Sequence, residues 1–157
     1  MRTAIIYASK HGTSGKVADI ISGKLSAHDV TVYSLAKNGN PDIGCYDLVI
    51  IGGPIYAGNP LDAMKKFCEK NLSDLLQKKV GLYLCCMNKA EQQSYMENSF
   101  PEELRKHSSA SVIAGGEMIL ENMSFFERLI VRFVAKTKKS VSAIDYQAID
   151  KFVEEIK

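Results

Sequence analysis

Residues 2–15 read RTAIIYASKHGTSG, and this stretch decides the fold. An apolar run closes at Ala8, a short polar loop follows, and a helical pattern opens near Thr13. Ala4, Ile5, Ile6 and Tyr7 in succession suit a strand covered on both faces, as in a parallel sheet. Residues 13–27 then carry Val17, Ile20, Ile21 and Leu25 at helical spacing. A strand, a tight turn and a helix start therefore lie within a few residues of each other. The first N–H groups of a helix lack partners inside it, and beside hydroxyls they make an anion site. Ser9, Thr13 and Ser14 supply hydroxyls, while Gly12 and Gly15 permit close backbone approach. The loop is expected to hold a phosphate. A plain helix cap by Thr13 or Ser14 is the alternative.

Outward from this loop the pattern repeats. A short strand is expected at 29–35, a turn-rich loop at 36–46 and a second strongly apolar strand at 47–53, DLVIIGG. Pro60 suits a first helical position with Asn59 as its cap. That helix should reach about Leu76, with Leu61, Met64, Phe67 and Cys68 inward. Residues 79–87, KVGLYLCCM, predict a fourth strand, 91–107 a helix and 111–118 a fifth strand. A last helix runs from Ser142 to Glu155, with Ser142 and Asp145 as an acidic capping box. Five strands alternating with helices predict an α/β doubly wound sheet. One domain over 1–157 is expected, with an inserted amphipathic segment at about 119–141.

The 157 residues are 46% hydrophobic and 24% charged, ordinary for one globular domain with a sizeable core. The formal net charge of +2 is too weak to argue for nucleic acid, and no nucleic-acid partner is expected. The opening stretch is a strand pattern rather than a targeting signal, and no apolar run is long enough to span a bilayer. A cytoplasmic protein is expected, with membrane contact only at its surface. Cys45, Cys68, Cys85 and Cys86 form no CxxC pair and no zinc spacing, so no metal site is expected. Cys85 and Cys86 should point to opposite sides of a strand as buried thiols.

Ligands of such sheets bind beyond the carboxyl ends of the strands. The first loop lacks both GxGxxG and the Walker sequence, so it suits a terminal phosphate better than a pyrophosphate. The second loop, GGPIYAGNP, offers Gly52 and Gly53 for close approach by a flat ligand. It also offers the Tyr56 ring for stacking on an aromatic heterocycle, or for covering the sheet edge. Backbone groups of Pro54, Ile55, Tyr56, Ala57 and Gly58 are placed to read a heterocycle's polar edge. The third loop begins after Met87. Asn88 is a candidate for the ring edge, Lys89 for the ring edge through its backbone or for solvent, and Tyr95 for the ligand's other side or for helix packing.

Other doubly wound folds lose on residue chemistry. A phospho-acceptor receiver domain wants acids where Tyr7, Ala8, Gly52 and Gly53 stand. A low-molecular-weight phosphatase wants a Cys and an Arg in the first loop. His11 beside Ser9 lacks a local orienter for hydrolysis and reads as a loop or surface residue. No side chain reads as a general acid or base, so none is assigned as catalytic.

With these residues in view, the chain resembles the flavodoxin family over nearly its whole length. The resemblance implies a five-stranded parallel sheet in the order 2-1-3-4-5 with helices on both faces. It also implies one bound FMN. Its phosphate would lie in the loop of Ser9, Lys10, His11, Gly12, Thr13 and Ser14. Its ring would lie beside Pro54–Gly58 and Met87, Asn88, Lys89 and Tyr95. Family loops usually carry Thr where His11 stands, and a Gly-rich acidic stretch where this chain has CMNKAEQQSY. AGGEMILENMSFFERLIVRFVAKTKK at 114–139 is similar to the aromatic, basic segment of the menaquinone-dependent protoporphyrinogen dehydrogenase branch.

That branch implies an FMN-dependent oxidoreductase passing electrons from a reduced donor such as protoporphyrinogen to a quinone or a protein acceptor. Two alternatives stay open: a flavodoxin-type electron carrier without its own substrate, and a non-catalytic partner-binding protein. Within 124–139, Phe125, Phe126, Leu129, Ile130, Phe133 and Val134 fall on one helical stripe. Arg128, Arg132, Lys136, Lys138 and Lys139 lie around it. Such a stripe fits a membrane interface, a redox partner, a homodimer contact or the chain's own sheet.

Overall fold

The computed structural model describes residues 1–134 and 139–157. The strands are β1 (Arg2–Tyr7), β2 (Asp29–Ser34), β3 (Leu48–Tyr56), β4 (Asn59–Pro60), β5 (Lys79–Cys85), β6 (Ala110–Ile113), β7 (Gly115–Met118) and β8 (Val141–Ile144), of which β4 and β8 were not expected from the sequence. The main sheet runs β2-β1-β3-β5-β6 with all neighbours parallel. Counting only these five strands, that is the order 2-1-3-4-5. Ile5 lies between Val32 and Ile50 in register, so the apolar positions of adjacent strands align.

The helices are α1 (Thr13–Lys24), α2 (Leu35–Asn38), α3 (Asp62–Lys70), α4 (Leu72–Leu75), α5 (Gln92–Ser99), α6 (Glu102–His107), α7 (Phe125–Val134) and α8 (Tyr146–Ile156). Each sheet face is covered. On one face Ile5, Ile50 and Tyr83 pack with Val17 and Ile21 of α1 and Phe152 of α8. On the other, Ile6, Val49 and Leu82 pack with Met64, Phe67, Tyr95 and Leu104 from α3, α5 and α6. Burial on both faces explains why these strands read as continuous apolar runs rather than alternating ones. Cys85 and Cys86 fall into the two opposite cores, as their strand period requires. Cys45 is exposed.

Several boundaries differ from the sequence reading, each for a local reason. The turn-rich stretch after β2 holds the short α2. β3 does not stop at Gly53 but runs through Tyr56 and turns back as β4. Asn59 and Pro60 are therefore strand residues, and α3 begins only at Asp62. The predicted helix 60–76 breaks at Asn71 into α3 and α4. The helix predicted over 91–107 divides at Phe100–Pro101, where Phe100 takes the extended backbone favoured before proline.

The predicted fifth strand 111–118 is two strands. Gly115, at φ 73°, turns the chain out of the sheet after Ala114, and β7 pairs antiparallel with β8. A Cβ at Gly115 would lie 2.0 Å from the Ala143 carbonyl oxygen, so the turn requires glycine. Ser142 sits in β8 rather than in a capping box. α8 starts at Tyr146, where Asp145 alone accepts a hydrogen bond from the Ala148 N–H.

Candidate functional site

The first loop sits where β1 meets α1. Ala8 N–H donates to the Gly52 carbonyl at 3.0 Å, which ties the end of β1 to β3. Gly12, at φ 94°, is the residue before α1, and among the described residues no side chain caps that helix. The Gly12 N–H instead donates to Ser9 Oγ at 2.9 Å. Thr13 and Ser14 therefore do not act as caps. Ser14 is fully buried, and among the described residues its Oγ has no hydrogen-bond partner beyond a contact with the Cys85 thiol. A buried hydroxyl without a partner costs free energy unless a ligand completes it. From below, Tyr83 Oη donates to the Ser14 carbonyl at 2.9 Å and holds the loop against the sheet. Gly52 makes room for that ring: a Cβ there would lie 2.2 Å from Tyr83.

The second wall is a two-residue hairpin. Tyr56 faces Asn59 across Ala57 and Gly58, whose φ angles are 48° and 80°. Both turn residues at positive φ give a tight hairpin whose twist matches its strands. Ala57 pays for that turn with an uncommon backbone conformation, a feature that collects at functional loops. The hairpin lifts Tyr56 to the mouth of the cleft.

A cleft of about 330 Å³ joins these walls. Ser9, Lys10, His11, Thr13 and Ser14 line it from the first loop, and Pro54 through Gly58 from the second. Met87 and Asn88 line it from the third, and Tyr95 joins them from α5 while itself buried in the core. Of the residues read toward the ligand, Gly12, Gly15, Gly52, Gly53 and Lys89 lie outside the cleft lining, and the space at Gly15, Gly52 and Gly53 is taken by Tyr7, Tyr83 and Met64. Gly12 shapes the helix start without lining the cleft. Lys89 is turned away into an ion pair with Asp145. Asn88 Oδ1 is used by its own turn, accepting from the Ala90 N–H at 2.9 Å.

The sequence reading missed Cys85, Cys86, Gly116, Glu117, Met118 and Met123, which also line the cleft. Glu117 is the chemically distinct one. Its carboxylate accepts from Lys16 Nζ at 2.6 Å and from Ser142 Oγ at 2.7 Å. The Lys16 bond holds its pKa below the usual carboxylate value. The Gly-Gly turn before it was the available signal, since it marks where the strand leaves the sheet.

The segment after β7 then closes over the rim. Glu127 on α7 is the anchor. Its Oε1 accepts from Tyr56 Oη at 2.6 Å and pairs with Lys10 Nζ at 3.0 Å. His11 Nε2 lies 3.5 Å away. Glu127 Oε2 accepts from the Ser124 N–H at 2.9 Å. The Tyr56 hydroxyl, then the Ser124 N–H, then Lys10 hold the Glu127 carboxyl far below the usual range. Lys10 Nζ also lies 3.6 Å from the centre of the Tyr56 ring. Tyr56 and Glu127 together hold the Lys10 pKa above its ordinary value. His11 Nδ1 donates to the Asn122 carbonyl at 3.1 Å, and Asn122 Nδ2 donates back to the His11 carbonyl at 3.2 Å. His11 is thus a tie to the inserted segment.

The outer face of α7 is apolar. Phe125, Phe126, Ile130 and Phe133 are 61–83% exposed, so these four residues of the stripe do not pack on the chain's own sheet. Lys136 and Lys138, read as part of its basic border, lie outside the described residues, and so does the side chain of Val134. Among the described residues no helix is long and apolar enough to cross a membrane.

The sequence model of the flavodoxin domain matches residues 4–145. No sequence among the curated proteins matches the chain. Solved flavodoxins share the architecture. A short-chain flavodoxin associated with a PDU bacterial microcompartment aligns over 99% of this chain and 96% of its own, at 14% identity and a TM-score of 0.62. The Streptococcus pneumoniae flavodoxin aligns over 99% and 97%, at 17% identity and a TM-score of 0.59. The Fusobacterium nucleatum flavodoxin bound to flavin mononucleotide aligns over 71% and 68%, at 22% identity and a TM-score of 0.51. At these identities the shared property is the fold.

Proposed function

Because this chain belongs to the flavodoxin domain family, we propose that its cleft binds one FMN and that the protein passes electrons between a reduced donor and a redox partner. The observation that carries this reading is the buried Ser14 Oγ, with no partner but the Cys85 thiol among the described residues, at an uncapped helix start that opens on the same cleft as Tyr56. Ser9, Thr13 and Ser14, with the first-turn N–H groups of α1, would hold the phosphate. The 54–58 hairpin would present Tyr56 to the ring and its backbone groups to the ring edge. Glu117 is placed to accept from ligand hydroxyls. When bound, the flavin supplies reversible electron acceptance and release at its ring. The protein binds it, orients it and tunes it.

Titration of apoprotein with FMN tests this directly. Quenching of flavin fluorescence and a shifted flavin absorbance are expected at micromolar protein. Absence of both at high micromolar concentrations sinks the reading.

A finer reading concerns the partner. The exposed apolar stripe of α7, joined to the rim through Glu127, favours an acceptor that offers an apolar surface. A lipid-soluble quinone at a membrane surface has that character, and protoporphyrinogen is the donor the inserted segment suggests. Oxidation of protoporphyrinogen by a menaquinone analogue, faster than the uncatalysed background, would support an enzyme. Electron transfer to a protein acceptor without such turnover would support a carrier.

A further inference from the structure

Glu127 of the inserted segment bonds to Tyr56 and Lys10, two residues that line the cleft. We propose that Lys10 and Glu127 form a compensated charge pair that positions Tyr56 and sets the reduction potential of the flavin held beside it, with Glu127 as a positioning residue. The inference rests on the FMN reading above.

Three contacts carry it. Glu127 Oε1 takes the Tyr56 hydroxyl at 2.6 Å, which fixes where the ring's far end points. The same oxygen pairs with Lys10 Nζ at 3.0 Å, and Lys10 lies 3.6 Å from the Tyr56 ring centre. The Tyr56 ring is thus held between a cation on its face and an anion at its tip. Lys10 belongs to the phosphate loop and Glu127 to α7, 117 positions apart (127 − 10). The pair therefore joins the first loop to the inserted segment.

The electrostatic consequence is directional. A reduced flavin carries more electron density than an oxidised one, so a nearby uncompensated cation favours reduction and an uncompensated anion opposes it. With the pair intact the two contributions largely cancel. Removing Glu127's charge leaves the Lys10 ammonium uncompensated, and the potential rises. Removing Lys10 leaves the carboxylate uncompensated, and the potential falls. Because Glu127 sits on the helix that carries the exposed apolar stripe, a partner that displaces α7 would separate the pair and raise the potential. The flavin would then favour accepting electrons while docked.

The experiment compares wild type, Glu127→Gln, Lys10→Met and the double variant, each reconstituted with FMN. Three quantities are measured: the FMN dissociation constant, the midpoint potential by dye equilibration, and the tryptic cleavage rate within 119–134 of the apoprotein. Expected are a higher potential for Glu127→Gln, a lower one for Lys10→Met, and a double variant near wild type. Cleavage should accelerate in both single variants, because each loses a tie across the clasp. FMN should bind more tightly to Glu127→Gln and more weakly to Lys10→Met, by roughly threefold each. Potentials that stay together, or that move the same way in both single variants, overturn the proposal while FMN binding leaves the flavin reading standing. Failure of wild type itself to bind FMN overturns the reading and this inference together.

Discussion

The end of β1 and the outer face of α7 are both rich in large apolar side chains, and their fates are opposite. In β1, Ala4, Ile5 and Ile6 are completely buried between two helical layers. In α7, Phe125, Phe126, Ile130 and Phe133 face outward, and the helix is fastened to the body by polar groups around Glu127. Apolar content alone therefore does not say which surface is core. The sheet has two faces and a helical layer for each. α7 has no such layer above it among the described residues, and it meets the body through a carboxylate instead. The lesson is that the body of the molecule is held by packing, while the inserted segment is held by hydrogen bonds and ion pairs.

The largest test of that contrast is a pair of truncations. Ile50→Ala in the sheet should cost about 3 kcal/mol in urea unfolding, from lost burial and the cavity left behind. Phe126→Ser on α7 should change stability by no more than about 0.5 kcal/mol. Comparable losses at both positions would break the comparison.

Next comes the ligand side. Ser14→Ala should leave the apoprotein at least as stable as wild type, because it removes a buried hydroxyl that lacks a strong partner among the described residues. The same change should weaken FMN binding about tenfold, the value of one hydrogen bond to a charged group. Titration and thermal melting of the same sample check both. Tyr83→Phe sharpens the point from beneath the loop. It should cost about 1 kcal/mol by removing the buried bond to the Ser14 carbonyl, and weaken FMN only through that loosening.

The smallest effect lies in the pH dependence of the clasp. Glu127's folded pKa is depressed, so its contribution is present above the unfolded carboxylate value of 4.5 and is lost as pH falls through the folded value. Melting temperatures of wild type and Glu127→Gln should differ at neutral pH and converge as the solution is acidified below that range. Parallel curves down to pH 3 would remove Glu127 from the account.

Much of the fold was legible because parallel strands covered on both faces leave uninterrupted apolar runs, as in TAIIY and LVII. The first two loops that line the cleft were legible for a related reason: they begin near where those runs stop. The errors fall where local pattern meets a distant partner. Ala57–Gly58 is not a common hairpin dipeptide, so the extension of β3 into β4 went unread. Gly115 looked like a residue within a strand, yet its positive φ takes the chain out of the sheet. Lys89 sits in the right loop, but Asp145 claims it. Glu117 was missed because its neighbours in the cleft come from the other end of the chain.

The sequence by itself determined the five parallel strands, their order by resemblance, and the two turns that meet at the cleft. Hydrophobic periodicity and turn chemistry are local properties, readable within a dozen residues. Only the tertiary structure decided which side of α7 faces outward and which residues close the rim. Lys16 meets Glu117 and Tyr56 meets Glu127 across separations of 101 and 71 residues. Such pairs obey no spacing rule, because a charge selects its partner by proximity in the folded chain.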